Sequence, residues 1–217
     1  MNLFRVDKFA VHIPVRDSFD DLPQTDHKDG TYRLRRFSRI KLTKELPDGF
    51  EYDILEDSSY NQSSQYNDFQ GDVAREFEHI DPEVLKSFGM RHIVTKFCNH
   101  VALTEKQVID VHQFRIITDS KDKTAQVSPE GVHQDGFYHI CMASIRRYNI
   151  GGGELTLSTS KTSEPFFKKA LNGGEMITLK DDLFWHNGTP IYTIDDTVRG
   201  YQDLFVLTAI PVGGKND

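Results

Sequence analysis

Only two cysteines, Cys98 and Cys141, occur in the 217 residues, and neither has a CxxC partner. That removes a cysteine-built zinc or redox centre, and two thiols set in apolar runs are expected to be buried and free in a reducing compartment. No apolar stretch is long enough to span a bilayer. Near the N-terminus Arg5, Asp7 and Lys8 interrupt anything resembling a secretion signal. The expected location is therefore the cytoplasm, with no membrane partner. A basic stripe is missing too: 26 Lys and Arg stand against 33 Asp and Glu, a formal charge of -7, with the two signs interspersed. A nucleic-acid partner, which needs clustered cations to release counterions, is not expected, and a small molecule is. Internal repeats and low-complexity tracts are absent as well.

What is present is a globular composition, 37% hydrophobic and 27% charged. It suits one domain over 1–217, with N-terminal strands and supporting helices in 1–106 and a core in 107–217. Residues 1–16 alternate up to Pro14 and fit a strand or a short helix equally. Asp17 to Gly30 reads as an exposed loop. Thr31 to Lys41 alternates with period two but has no cleanly apolar face. It is read as a solvated edge strand, or as a strand with one arginine turned inward to meet a carboxylate. Tyr60 to Gly71, rich in amides and hydroxyls, fits a loop lining a polar pocket or crossing the surface. Asp72 to Glu78 reads as a short helix. A second helix runs from Asp81 to about His100, with Asp81 as N-cap, Pro82 at the first position, and Leu85, Phe88, Ile93, Phe97 and Val101 as its buried stripe.

From Gln107 the period is two. Strands are expected over Val108 to Thr118, Phe137 to Tyr148, Glu154 to about Ser160, Glu175 to Leu179, Pro190 to Ile194 and Tyr201 to Pro211, with Phe166 to Leu171 a linking turn. Short strands punctuated by glycine-rich turns indicate a mainly β protein with flanking helices, its core an antiparallel jelly roll.

His-x-Asp occurs three times, at His27-Lys-Asp29, His79-Ile-Asp81 and His133-Gln-Asp135. The first lies in a loop and the second at a helix start where Asp81 already serves as cap. Only the third precedes a long apolar strand, a glycine turn and a later histidine, His186, at a strand start. On extended backbone His133 and Asp135 share a face. Two histidines and one carboxylate with open positions form the ligand set of non-haem iron(II) oxygenases. The same donors also accept zinc for hydrolysis. His139 has the parity of His133 and is a further candidate to face the same cavity. Trp185, the only tryptophan, is expected to pack beside His186 and to report on the site by fluorescence.

Several ordered segments together resemble one family: Thr31 to Ser38, Gln62 to Asn67, Val111 to Arg115, Pro129 to Gly136, Arg147 to Glu154, Leu179 to Asp182 with His186, and Gln202 to Thr208. The chain is similar from about residue 30 onward to the bacterial Fe(II)/2-oxoglutarate dioxygenases that include L-isoleucine dioxygenase and related free amino-acid hydroxylases. The resemblance implies a double-stranded β-helix in which His133, Asp135 and His186 bind Fe(II). It also implies 2-oxoglutarate and O2 as co-substrates, and hydroxylation of a free L-amino acid, an aliphatic one, with release of succinate and CO2. Relatives carry Arg-Asp at the start of the last strand as the clamp for the distal carboxylate of 2-oxoglutarate, where this chain has Gln202-Asp203. Arg199 is the expected substitute beside Gln202, with Arg115 or Arg36 next. Substrate contacts are expected from Arg36, Gln62, Tyr66, Asn67 and Arg115, with Arg33, Arg35 and Arg75 as further candidates. A homodimer is compatible with the sequence. The competing readings are a zinc hydrolase and, made more plausible by Gln202, a non-catalytic or altered-co-substrate jelly-roll binding or regulatory protein.

Overall fold

A computed structural model describes residues 3–210 except 58, 67, 68 and 70. In chain order the elements are β1 Phe4–Lys8, α1 Ile13–Asp17, β2 Arg33–Leu46, β3 Gly49–Leu55, β4 Ser59–Tyr60, β5 Arg75–Glu76, α2 Pro82–Leu85, α3 Phe88–Val101, β6 Val108–Thr118, β7 His139–Tyr148, β8 Ile150–Gly152, β9 Glu154–Ser158, β10 Phe167–Ala170, β11 Glu175–Lys180, β12 Trp185–Gly188, β13 Ile191–Thr193 and β14 Gly200–Ile210.

Antiparallel pairing builds a large sheet in the order β1-β11-β7-β14-β6-β2-β3, faced by a smaller one, β10-β9-β12, and the β13-β8 pair. Alternation assigns the two faces of the large sheet different tasks. Outward positions such as Ile40, Ile109, Val111, Cys141, Phe205 and Leu207 meet Met90, Ile93, Phe97 and Cys98 of α3 in one core. Inward positions such as Phe114, Ile116, Leu204 and Val206 face the small sheet across a cavity. Both faces of β6 and β14 are thus covered, which is why these strands read as long, nearly continuous buried runs. Each fully buried aliphatic side chain on the α3 face contributes about 1.5–3 kcal/mol. Both cysteines are buried free thiols, as expected, and burial pushes Cys141 up to about 12.

Upstream the structure corrects several expectations. The helix expected over Asp72 to Glu78 is absent: the Asp72 carboxylate accepts the Ser64 N–H, its φ is +59°, and Arg75–Glu76 pairs with Ser59–Tyr60. The single helix expected from Asp81 is two. Asp81 caps α2 by accepting from Glu83 N, but Ser87 Oγ then accepts from Met90 N and starts α3 afresh. Phe88, placed in the buried stripe from periodicity, is 71% exposed as a result. β2 is no edge strand, since it lies between β6 and β3. Its arginines are absorbed by Asp29, Asp110 and aromatic rings. The Asp17 to Gly30 loop is not simply exposed, because Phe19 is fully buried and packs edge-on to Phe205 at 5.1 Å. Phe166 to Leu171 is no linking turn, for Phe167–Ala170 pairs with β9. Among the described residues no helix is long and apolar enough to cross a membrane.

Candidate metal and ligand site

His133, Asp135 and His186 come together with one ligand atom each, all within 4.8 Å of one another. Two antiparallel segments place the histidines, since His133 and His186 exchange backbone hydrogen bonds of 2.9 and 2.8 Å. The Nδ1 of His133 lies 2.8 Å from the carbonyl of Gly131. A carbonyl can only accept, so Nδ1 carries a proton, and Nε2 is the ring nitrogen turned toward the site. That Nε2 sits 3.5 Å from Asp135 Oδ1 and 3.1 Å from Glu130 Oε1. Burial pulls the pKa of His133 down, but the two carboxylates outweigh it and raise it to about 9. Burial opposes ionisation of Asp135, yet His133, His186 and the Gln62 amide hold it below the usual carboxylate range.

The turn after His133 is fixed from behind. Asp181, fully buried, accepts the backbone N–H groups of Asp135, Gly136 and Phe137 at 3.1, 2.8 and 3.2 Å. Its Oδ1 also lies 3.0 Å from His186 Nε2. On the opposite side Gln62 Nε2 donates to both the backbone carbonyl and Oδ1 of Asp135, at 3.0 and 3.2 Å.

The cavity beside this cluster encloses about 1070 Å³, its open mouth included. Cross-strand register lays its wall out in rows: Arg33, Ile116 and Gln202; Arg35, Phe114 and Leu204; Phe37, His112 and Val206. Arg35 and Arg75 are both more than nine-tenths buried, and neither forms an ion pair among the described residues. The Arg35 guanidinium is 4.2 Å above the Phe77 ring and 4.5 Å above Phe114. Burial, with the neighbouring Arg75 charge, brings its pKa down to about 9. Ile140, Met142, Leu155, Leu171, Leu204 and Val206 supply an apolar side to the same space.

Strand parity decides where the other expected residues fall. Gln62 and Gln202 line the cavity. Arg199 does not: inward positions on β14 are 202, 204, 206 and 208, and Arg199 precedes the strand. It donates to Asp119 Oδ1 at 2.7 Å with 63% of its side chain exposed, so its expected place as co-substrate clamp is corrected. Arg36 faces outward between the inward Arg35 and Phe37, toward Asp21 and Glu78. Arg115 is likewise outward, bonded to Asp203 and Asp20 and lying over the Tyr201 ring. Tyr66 is part-exposed, its ring packed where a Cβ on Gly136 would stand. Asn67 lies outside the described residues. His139 is not among the lining residues. His112, Glu130, Tyr60 and Asp181 were missed, the first because a lone buried histidine has no partner pattern in sequence. For Asp181 the signal was its place five residues before His186.

A family model described as 2OG-Fe dioxygenase matches residues 16–208. The chain belongs to that family, and is an oxidoreductase that uses Fe(II), 2-oxoglutarate and O2. It is 26% identical over 195 residues to L-isoleucine-4-hydroxylase of Bacillus thuringiensis, covering 84% of this chain and 77% of that protein. Among solved structures it is similar to a bsmA homolog from Methylobium petroleophilum PM1, with a TM-score of 0.73 and 25% identity over 89% of this chain and 81% of that one. It is also similar to IDO from Bacillus thuringiensis, with a TM-score of 0.69 and 20% identity over 90% and 79%. The fold is the jelly roll of these oxygenases. Two imidazoles and one carboxylate, opening on a cavity, fit iron(II) as a donor set.

Proposed function

We propose that the protein hydroxylates a free aliphatic L-amino acid at an unactivated carbon, with His133, Asp135 and His186 holding the iron. One observation carries the substrate class: two buried guanidiniums, Arg35 and Arg75, line the same cavity as the metal cluster without a carboxylate of their own among the described residues. A buried charge left unpaired is costly, and a ligand carboxylate offsets that cost. For the α-ammonium, Glu130 is the carboxylate that lines the cavity outside the three-residue cluster. Met142, Leu155, Leu204 and Val206 then receive an aliphatic side chain. The name of the 26%-identical relative agrees with this class.

When bound, iron(II) would activate O2, the oxidant, one oxygen atom entering the substrate and the other oxidising 2-oxoglutarate to succinate and CO2. The chain's own groups bind, orient and keep water away. Gln62 and Asp181 hold the Asp135 turn, Gly131 fixes the His133 tautomer, and Phe77, Phe114 and Tyr60 shield Arg35.

The test is succinate release from anaerobically purified protein given Fe(II), 2-oxoglutarate, ascorbate and oxygen across a panel of free L-amino acids. Stimulation by one or a few aliphatic members, lost in His133→Ala, is expected. Silence across the panel from protein that holds iron would overturn the amino-acid reading.

A further inference from the structure

Three buried polar atoms with no nitrogen or oxygen partner lie outside the metal cavity, around one cleft on the face of the large sheet that packs against α3. They are Nε2 of His100, Nε2 of His139 and Oγ1 of Thr178, and all three residues line the same space of about 240 Å³, its open mouth included. Each comes from a different element: the last turn of α3, the start of β7, and β11. Thr178 is 4% exposed and the His100 side chain 12%, so bulk solvent does not satisfy them. Buried donors and acceptors are paired as a rule, and three orphans around one space call for a shared occupant. Arg5 and Lys180 complete the polar lining, and no carboxylate is part of it among the described residues. Register explains the grouping, since Thr178 stands opposite Arg5 on one side and Cys141 on the other, and Lys180 opposite His139. Asp7 stands behind the lining, one oxygen 3.0 Å from Arg5 Nη2 and the other 3.4 Å from His100 Nδ1.

We propose that the cleft binds a small monovalent inorganic anion, chloride in size and charge, held by His100, His139 and the Thr178 hydroxyl. A hydroxyl and two protonated imidazoles all donate, and hydrogen bonds to a charged partner are the stronger kind. A metal cation fits the donor atoms but not the field, because Arg5 and Lys180 make the lining positive and no acid ligand offsets them. A water molecule meets the hydrogen bonds and leaves that charge uncompensated. At His100 the Asp7 carboxylate accepts from Nδ1, so Nε2 donates to an anion only when the ring carries its second proton. The charged groups packed around the two rings are Arg5 and Asp7 of β1, Lys96 of α3, Lys180 of β11 and Asp182 beyond it. Burial holds both imidazoles below their ordinary value of 6.5, with Lys180 acting in the same direction on His139. An anion between the rings opposes both effects, so its affinity must rise as pH falls. The inference rests on neither the iron chemistry nor the amino-acid substrate.

The experiment titrates the full chain, loaded with Fe(II) and kept anaerobic, with sodium chloride at constant ionic strength, methanesulfonate serving as the bulkier reference anion. Thermal unfolding and the chloride NMR linewidth are read at about pH 6 and about pH 8. Wild type is expected to show saturable stabilisation that tightens at the lower pH. Thr178→Val and Lys180→Met are each expected to weaken chloride binding by roughly tenfold, the worth of one hydrogen bond or charge at an ionic partner. His100→Gln combined with His139→Gln is expected to remove the pH dependence. Bromide soaked into crystals is expected to give an anomalous peak among His100, His139 and Thr178. Three results would overturn the proposal: titrations that do not saturate in wild type, that are the same in Thr178→Val and Lys180→Met, or that ignore pH. The first leaves water as the occupant, and the second places chloride elsewhere, at the arginines of the metal cavity. If Thr178→Val fails to fold, Lys180→Met decides, since that residue is only half-buried. Because substrate is absent throughout, failure here leaves the amino-acid reading standing, and failure of the substrate panel leaves this one standing.

Discussion

The Nη2 of Arg35 lies 2.5 Å from Nδ1 of His112 on the cavity wall formed by β2 and β6. A guanidinium can only donate, so His112 accepts at Nδ1 and is neutral, and the imidazole fixes the direction in which the arginine points. Arg35→Leu is therefore expected to raise KM for the proposed amino-acid substrate by roughly 30- to 100-fold, the worth of a charged hydrogen bond in a dry site, with iron affinity unchanged. Arg35→Lys restores the charge but not the fork and should recover only part of the loss. Substrate titrations of both variants check this, and a KM equal to wild type in Arg35→Leu would move the carboxylate to Arg75.

His112 gives the fold an acid-sensitive point. Burial first, and then the charges of Arg35, Arg75, Arg33 and Arg39, hold its pKa well below the ordinary value of 6.5. Phe37, Tyr60 and Phe114 enclose the rest of the ring. The unfolded chain binds a proton at this residue below about pH 6.5 and the folded chain does not. Stability must then rise with pH through that window and fall on acidification below it. One such group costs up to about 1.4 kcal/mol per pH unit. Urea unfolding at pH 7.5 and 5.5 should show a loss larger by about 1 kcal/mol in wild type than in His112→Gln. Parallel pH dependence in the two proteins would refute the assignment.

Residue order carried the jelly-roll half of the molecule because inward faces repeat every second residue. It carried the His133, Asp135 and His186 cluster because the His-x-Asp pattern precedes a long apolar strand and a later histidine, although Asp135 itself lies in a turn held by Asp181 and not on a strand. What failed lacks such a local rule. Arg199 sits a sensible distance after His186 in sequence, but β14 turns inward only from Gln202. Arg36 and Arg115 occupy outward positions of strands whose inward neighbours, Arg35 and Phe114, form the wall. The edge-strand reading of β2 assumed that arginines repel partners, whereas Asp110 lies across the pair and holds Arg39 at 2.6 Å. The Arg35–His112 contact joins residues 77 apart in the chain, and nothing in either neighbourhood announces the other. The Asp72 to Glu78 helix failed on tertiary pairing, since two residues of strand there close over Tyr60.

Asp181 braces the candidate metal cluster from behind without being one of the three side chains proposed to hold the metal. Its carboxylate closes the Asp135 to Phe137 turn through three backbone N–H groups and meets His186 Nε2, tying both halves of the cluster to one buried side chain. Its own backbone carbonyl accepts from Gln134 Nε2 at 2.7 Å, so the anchor also reaches the residue between His133 and Asp135. Removing the carboxylate leaves several buried donors unpaired at about 1–3 kcal/mol each, and Asp181→Ala is expected to lose about 3 kcal/mol or more of stability. Asp181→Asn keeps the volume and one acceptor oxygen, so it should lose less stability while still weakening metal binding by about 10- to 100-fold, the effect of disturbing groups that orient ligands. Thermal unfolding separates the two variants, and anaerobic Fe(II) titration of the folded Asn variant tests the positioning role. Wild-type metal affinity in Asp181→Asn would show that the turn holds its shape without the carboxylate, and would leave Asp181 a purely structural acid.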